Sequence, residues 1–160
     1  GNLKSLFEQD RSRWDASLIA EGLDWLEASA TGETLSVYHL EAGIAGLHAS
    51  ATSAADTRWG DIVSLYDALM RLRPSPVVAL NRAMAVAEHQ GPLRGLEALH
   101  AIEQSERLAE YPFYAAALGE LELRAGRALA AREHFREAHR LARNEEERRF
   151  LAQRIARCEP

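Results

Sequence analysis

Apolar residues recur three and four positions apart along nearly all of this 160-residue chain. No segment shows a sustained alternation of apolar and polar residues. A spacing of three and four positions places side chains on one face of an α-helix, whereas alternation is typical of a half-buried β-strand. The pattern therefore predicts an all-α fold.

Capping residues, prolines and glycines divide this pattern into about eight helices joined by short turns. Ser12 with Asp15 predicts the start of the first helix, and an Ala- and Gly-rich second helix covers roughly residues 33–53. A third helix follows Thr57 and ends before Pro74. The later boundaries are predicted from Ser75-Pro76, Gly91-Pro92, Pro112, Gly126 and Asn144.

From Pro112 onward, small and aromatic residues fall at the spacing of the tetratricopeptide repeat, which is a helical hairpin. Small residues at positions 119 and 131 allow two helices to approach closely, and Phe135 fills the space between neighbouring hairpins. Ala115 and Glu122 depart from the repeat, in which aromatic residues are usual at those positions. The matching residues are Leu118, Gly119, Gly126, Ala131, Phe135 and Ala138.

Steps of about 34 residues extend this pattern into three degenerate units at 43–76, 77–111 and 112–145. The predicted architecture is a single domain over 1–160, a tetratricopeptide-like superhelix of helical hairpins, or α-solenoid. It comprises a leader at 1–11, N-terminal helices at 12–42, the three units and a capping helix at 146–158. Gly119 and Gly126 are interpreted as packing and turn residues. A phosphate-binding loop would instead follow a strand and precede Lys-Ser/Thr.

Composition places the chain among globular proteins of the cytoplasm. A hydrophobic content of 47% with 27% charged residues is typical of a chain that buries a core. Its apolar runs are too short to predict a membrane span. The single cysteine, Cys158, excludes an intrachain disulfide and a zinc site built on several thiolates, which fits a reducing compartment.

The net charge of −5 is unevenly spread, because residues 127–157 carry nine Arg and five Glu. Helical spacing predicts the pairs Glu133/Arg136, Glu137/Arg140 and Glu145/Arg149, which favours a solvated helix face. The alternative is a cationic surface that meets nucleic acid or an acidic protein.

Residues with catalytic or metal-binding chemistry form no recognisable motif. None of the six histidines lies in an HExxH arrangement, and Cys158 has no organised base nearby in the sequence. The sequence predicts no catalytic, cofactor or metal site, so we expect a protein that is not an enzyme. An enzyme or small-ligand binder remains the third alternative.

Stacked hairpins would leave a concave surface lined by the first helix of each pair, suited to holding a peptide or a helix. An Asn amide binds a partner's backbone, and Arg binds a carboxylate through two nitrogens. Arg82 has the alternatives of pairing with a nearby carboxylate such as Glu88 or of facing water. The candidate positions are His48, Asn81, Arg82, Glu120 and Arg124.

Two strings go beyond the generic repeat pattern: "EQDRSRWDASLIAEGL" at 8–23 and "LYDALMRLRPSPVVALNRAMAVAE" at 65–88. Together with "GPLRGLEAL" and "NEEERRFLAQRI", they resemble the C-terminal extension of a group of bacterial extracytoplasmic-function sigma factors of the sigma-70 family. The resemblance runs in register from Asp10 to about Ile155. It implies a tetratricopeptide-like domain that follows the DNA- and polymerase-binding sigma regions, which this chain lacks.

The resemblance implies an interaction or regulatory domain in transcription initiation. Its partner would be its own sigma regions, RNA polymerase or a regulatory protein. DNA would be bound only through the missing sigma regions, and no membrane would be involved. Asp10, Arg11, Trp14 and Asp15 match the family string, with Trp14 as an anchor against the repeats and the charges as contacts to the sigma regions. Capping and core packing are the alternative for all four, and a free-standing peptide-binding adaptor is the alternative for the whole chain.

Overall fold

The computed structural model describes residues 37–51 and 57–159. Within these ranges the chain forms seven α-helices, one short 3-10 helix and no strand, which confirms the all-α prediction for this part. The helix predicted to begin at Ser12 lies outside the described residues. The elements are α1 (Val37–Ser50), α2 (Trp59–Leu72), α3 (Pro76–Gln90), α4 (Pro92–His100), the 3-10 helix (Ser105–Leu108), α5 (Pro112–Arg124), α6 (Ala128–Leu141) and α7 (Glu145–Arg157).

Several helix boundaries follow the predicted signals. The Ser75 hydroxyl accepts a hydrogen bond from the backbone N–H of Val77 at 3.2 Å, and Pro76 is the first residue of α3. Gly91 and Gly126 have φ angles of 97° and 82°, a left-handed conformation that glycine adopts without steric cost. Turns at these two glycines end α3 and α5.

Each helix packs against the next along the chain, and α3 also contacts α5. Only Gly91 separates α3 from α4, so the chain reverses direction there. One apolar core lies among α1, α2 and one side of α3, and a larger core extends from the other side of α3 to α7. Ala85 belongs to the first core and Leu80 to the second. The third helix therefore joins the two cores.

The α5–α6 hairpin is packed as the repeat pattern predicts. A Cβ atom added to Gly119 would lie 2.9 Å from the ring of Phe135, closer than real side chains approach. Ala131, Phe135 and Ala138 are fully buried on the facing side of α6. A glycine at 119 is therefore what allows the Phe135 ring to lie against the backbone of α5.

A second close contact between helices occurs at Gly95 and was not predicted from the sequence. A Cβ atom at Gly95 would lie 2.5 Å from the Cβ of Ala87 and 2.7 Å from the Cδ1 of Leu121. Three helices, α3, α4 and α5, therefore meet at this residue of α4.

The spacing between the second and third hairpins is longer than predicted. The helices α3 and α5 begin 36 residues apart, and so do α4 and α6. Gly95 consequently occupies the position in α4 that Ala131 occupies in α6. The spacing of 36 residues exceeds the expected value of about 34, and the connection from α4 to α5 contains the 3-10 helix.

The predicted start of the first repeat unit, residue 43, falls inside α1. More residues separate the end of α1 from the start of α2 than lie in the turns at Gly91 and Gly126. None of the described helices has both the length and the apolar character needed to cross a bilayer.

Candidate protein-interaction surface

The solvent-facing part of α3 carries Val77, Asn81, Arg82 and Glu88, and we call these four residues the α3 surface. Val77, Asn81 and Glu88 are separated by four and seven positions, which places them along one side of the helix. Val77 is 41% exposed. The half-buried Asn81 amide makes no hydrogen bond within the described residues, so its donors and acceptor are open to a partner.

Arg82 is held in position by α2. Its Nε donates a hydrogen bond to Asp67 Oδ1 at 2.5 Å, and both side chains are about one-third to two-fifths exposed. The two terminal nitrogens of the guanidinium group make no hydrogen bond within the described residues. A partner's carboxylate could therefore bind them both. Pairing with Glu88, the alternative raised for Arg82, does not occur.

Glu88 instead belongs to a chain of alternating charges that links α3, α5 and α7. Arg124 Nη1 donates to Glu88 Oε1 at 2.7 Å, and Arg124 Nε donates to Glu120 Oε1 at 3.3 Å. The other oxygen of Glu120 accepts a hydrogen bond from Arg154 Nη2 of α7. Burial by itself would lower the pKa of Arg124, but its hydrogen bond and its attraction to the two carboxylates raise that pKa overall.

This charge chain changes the interpretation of two candidate residues. The side chains of Glu120 and Arg154 are only 11% and 14% exposed, so Glu120 lies between helices and not on an open surface. Arg124 is partly exposed, but two carboxylates already occupy it. Glu120 and Arg124 therefore connect helices, whereas the Asn81 amide and the terminal nitrogens of Arg82 make no hydrogen bond within the described residues.

The other candidate residues lie apart from the α3 surface or outside the description. His48, near the end of α1, packs the edge of its ring against Trp59 with 5.2 Å between ring centroids. This contact places His48 at the junction of α1 and α2. Asp10, Arg11, Trp14 and Asp15 lie outside the described residues.

The start of α7 contains a buried carboxylate that the sequence analysis did not single out. Asn144 Oδ1 accepts a hydrogen bond from the Glu147 N–H at 2.8 Å, and the Glu147 carboxylate accepts one from the Arg143 N–H at 3.0 Å. Burial would raise the pKa of Glu147, but the hydrogen bonds from Arg143 outweigh it and lower that pKa. The Asn-x-x-Glu spacing is that of a capping box and was the available signal, although the Glu147 side chain here accepts from the N–H of the residue before the cap.

Most of the cationic C-terminal part is neutralised internally. The predicted pairs Arg136–Glu133, at 3.3 Å, and Arg140–Glu137, at 2.6 Å, are confirmed. The predicted pair of Glu145 with Arg149 is wrong, because Glu145 binds Arg148 at 3.1 Å. Positions three apart are also neighbours on a helix, so spacing alone does not choose between two adjacent arginines. The excess positive charge is carried by exposed Arg149 and Arg157, which form no ion pair within the described residues.

Two further titratable groups have shifted pKa values. Burial lowers the pKa of His134 in α6, with the neighbouring charge of Glu122 acting in the opposite direction. Burial raises the pKa of the Cys158 thiol. In the part of the chain that the structure describes, no three His, Cys, Asp or Glu side chains converge as a metal site requires.

An uncharacterized protein of Rhizobium meliloti (strain 1021) is 37% identical to this chain over 155 residues. The match covers 97% of the chain and 36% of the Rhizobium protein. The chain therefore spans about a third of the length of the curated relative it matches. No protein-family model matches the chain, and no solved structure matches it.

Proposed function

We propose that this chain is the protein-interaction and regulatory domain of an RNA polymerase sigma factor and acts in transcription initiation. The proposal rests on the resemblance of the strings at 8–23 and 65–88 to the extension of such factors. The second string forms the second half of α2, the turn after it and most of α3. It therefore contains Asp67 and all four residues of the α3 surface.

A tetratricopeptide-like superhelix is part of this proposal. In such an array the first helices of successive hairpins lie side by side, and here they would be α1, α3, α5 and α7. The observed contact between α3 and α5 supports this arrangement. The charge chain from Glu88 through Arg124 and Glu120 to Arg154 supports it further, because it runs across α3, α5 and α7.

The anchored guanidinium of Arg82 is the observation that carries the interaction role. Asp67 fixes the group through Nε, so little side-chain freedom is lost when a partner binds the terminal nitrogens. The unpartnered Asn81 amide lies one residue away and offers both donors and an acceptor to a partner's backbone. We infer that the partner presents a carboxylate next to an exposed backbone segment.

The partner belongs to the transcription machinery in this proposal: the protein's own sigma regions, RNA polymerase or a regulator. The Rhizobium relative is long enough to hold further domains beside one of this size, as the proposal requires. DNA would be bound by those further domains. The cytoplasm, where transcription takes place in bacteria, is the proposed location.

Promoter-dependent transcription with purified components tests the regulatory role. The assay compares a full-length protein that contains this domain with the same protein lacking residues 1–160. We expect a changed rate of transcript formation from a cognate promoter. An unchanged rate would reject a regulatory role.

Binding to the purified sigma regions tests the α3 surface. We expect Asn81→Ala/Arg82→Ala to weaken capture roughly tenfold or more, since lost charged hydrogen bonds cost about 1.5–3 kcal/mol. The matched control is Asp67→Asn, which removes the same internal ion pair but keeps the guanidinium. If both variants lose capture equally, Arg82 has only a structural role. A free-standing peptide-binding adaptor would use the same surface, and capture of an unrelated peptide in place of the sigma regions would favour it.

A further inference from the structure

Two oppositely charged surface segments lie at the same end of the helical array. The chain reverses between α3 and α4 and again between α4 and α5, so the N-terminal ends of α3 and α5 lie on the same side. The turn before α3 and the long connection before α5 therefore share this end. The 3-10 helix of that connection also contacts α3.

The first segment is basic. Arg71 and Arg73, at the end of α2, are exposed and form no ion pair within the described residues. Between them lies Leu72, which is 53% exposed although it is a large apolar side chain. We call Arg71, Leu72 and Arg73 the basic edge. Most other arginines of the described chain have a carboxylate partner, so two adjacent unpaired ones stand out.

The second segment is acidic. Glu103, Glu106 and Glu110 are exposed in the connection before α5 and form no ion pair within the described residues. Arg107 lies among them and donates to Gln104 Oε1 at 3.2 Å, and Arg140 attracts Glu110 through space. The segment keeps a net negative charge even when Arg107 is counted. We call Glu103, Glu106 and Glu110 the acidic edge.

We propose that two copies of this chain form a twofold dimer through these edges. Under a twofold axis, when one patch of the first copy contacts a different patch of the second copy, the same contact also forms with the two copies exchanged. The basic edge of each copy then meets the acidic edge of its partner, so this contact forms twice in the dimer. Leu72 is covered by the aliphatic stems of the facing glutamates, which reduces its exposure to water.

A second copy fits better than an unrelated partner because both halves of the charge complementarity belong to this chain. Exposed ion pairs contribute little individually, so the dimer should be weak and sensitive to salt. Screening shortens the range of such attractions from about 10 Å at 0.1 M salt to about 3 Å at 1 M. The inference does not rest on the proposed function, because none of its residues belongs to the α3 surface.

Sedimentation equilibrium on the chain tests the proposal. At low salt the average mass should rise with protein concentration towards twice the mass of one chain. In 1 M salt it should fall back to the mass of one chain. Arg71→Glu/Arg73→Glu makes both edges acidic, and Glu103→Lys/Glu106→Lys makes both basic. Each variant alone should stay at the mass of one chain.

An equimolar mixture of these two variants should regain the dimer mass, because each acidic edge then faces a basic one. A chain with all four substitutions should also dimerise. Circular dichroism confirms that each variant keeps its helices, since all four positions are exposed. A single-chain mass for the unmodified protein at every concentration would overturn the proposal. So would a dimer that charge reversal leaves intact, or a mixture of folded variants that fails to associate.

Discussion

The carboxylate of Glu120 is shared by two arginines from different helices, Arg124 of α5 and Arg154 of α7. Both Glu120 and Arg154 are largely enclosed, so each charge depends on the other for compensation. Removing one member of such a group leaves an uncompensated buried charge, which costs more than the pair contributed. We therefore expect this single side chain to matter more to stability than the two exposed ion pairs within α6.

We expect Glu120→Gln to lower the free energy of unfolding by about 3–5 kcal/mol, because the Arg154 guanidinium loses its counter-charge. Urea unfolding followed by circular dichroism measures the change. The same substitution in an exposed pair, Glu133→Gln opposite Arg136, is the matched control and should cost at most about 1 kcal/mol. Equal losses for the two variants would show that Glu120 is not effectively buried.

The stability of the folded chain should fall as the pH drops below about 6.5, the ordinary pKa of histidine. Burial lowers the pKa of His134, so the unfolded chain binds a proton more readily than the folded one in this range. The carboxylates of Glu122 and Glu133 and the imidazole of His100 act on this group as well. His134→Gln should reduce the loss of stability between pH 7.5 and 5.5, as measured by unfolding at several pH values. An identical pH dependence in both proteins would contradict this assignment.

At the scale of helices, the close approach of one helix to another depends on glycines, which have no Cβ atom. Gly119 admits the ring of Phe135 from α6, and Gly95 admits Ala87 from α3 and Leu121 from α5. Alanine has the higher helix propensity by about 1 kcal/mol, so a glycine inside a helix needs a reason such as this. The two glycines determine how closely the four consecutive helices α3 to α6 pack.

We expect Gly95→Ala and Gly119→Ala to destabilise the fold by roughly 1–3 kcal/mol each, because overpacking outweighs the gain in helix propensity. Thermal melts measure both effects. Phe135→Leu provides a rescue, since a smaller side chain makes room at position 119. The pair Gly119→Ala/Phe135→Leu should therefore be more stable than the sum of the two single changes predicts. Strict additivity would mean that the two residues are not in contact.

Helix boundaries were predictable because their causes are local. Ser75 and Asn144 cap α3 and α7 from within three residues, and Gly91 and Gly126 sit at the turns they form. Gly95 was missed because its equivalence to Ala131 depends on a 36-residue spacing that the connection before α5 sets. The partner of Arg82 was missed because Asp67 lies on another helix, and only tertiary packing brings the two together.

For the whole molecule, α7 is fixed by contacts of several kinds. Arg154 binds Glu120 and lies over the ring of Phe135, with 5.7 Å between Cζ and the ring centroid. Leu151 is fully buried. Cys158, which follows the helix, is buried and donates its thiol hydrogen to the Arg154 carbonyl at 3.3 Å. The thiol therefore reports whether the last helix is docked.

We expect Cys158 to react slowly with a thiol reagent such as Ellman's reagent while the chain is folded. Burial blocks access and raises the pKa of the thiol, so less thiolate is present at neutral pH. Glu120→Gln should accelerate the reaction, because it weakens the attachment of α7. The absorbance of the released product measures the rate, and the exposed-pair variant Glu133→Gln serves as the control. Fast labelling of the folded wild-type chain would show that the last helix is not held in place.

Because α3 supplies Ala85 to one core and Leu80 to the other, the packing of the two halves of the described chain is coupled through this helix. Backbone amides in the middle of α3 should therefore be among the slowest of the described chain to exchange with deuterium. The helix that carries Asn81 and Arg82 would also be among the last to unravel, so the partner proposed above would meet a surface already in its final shape.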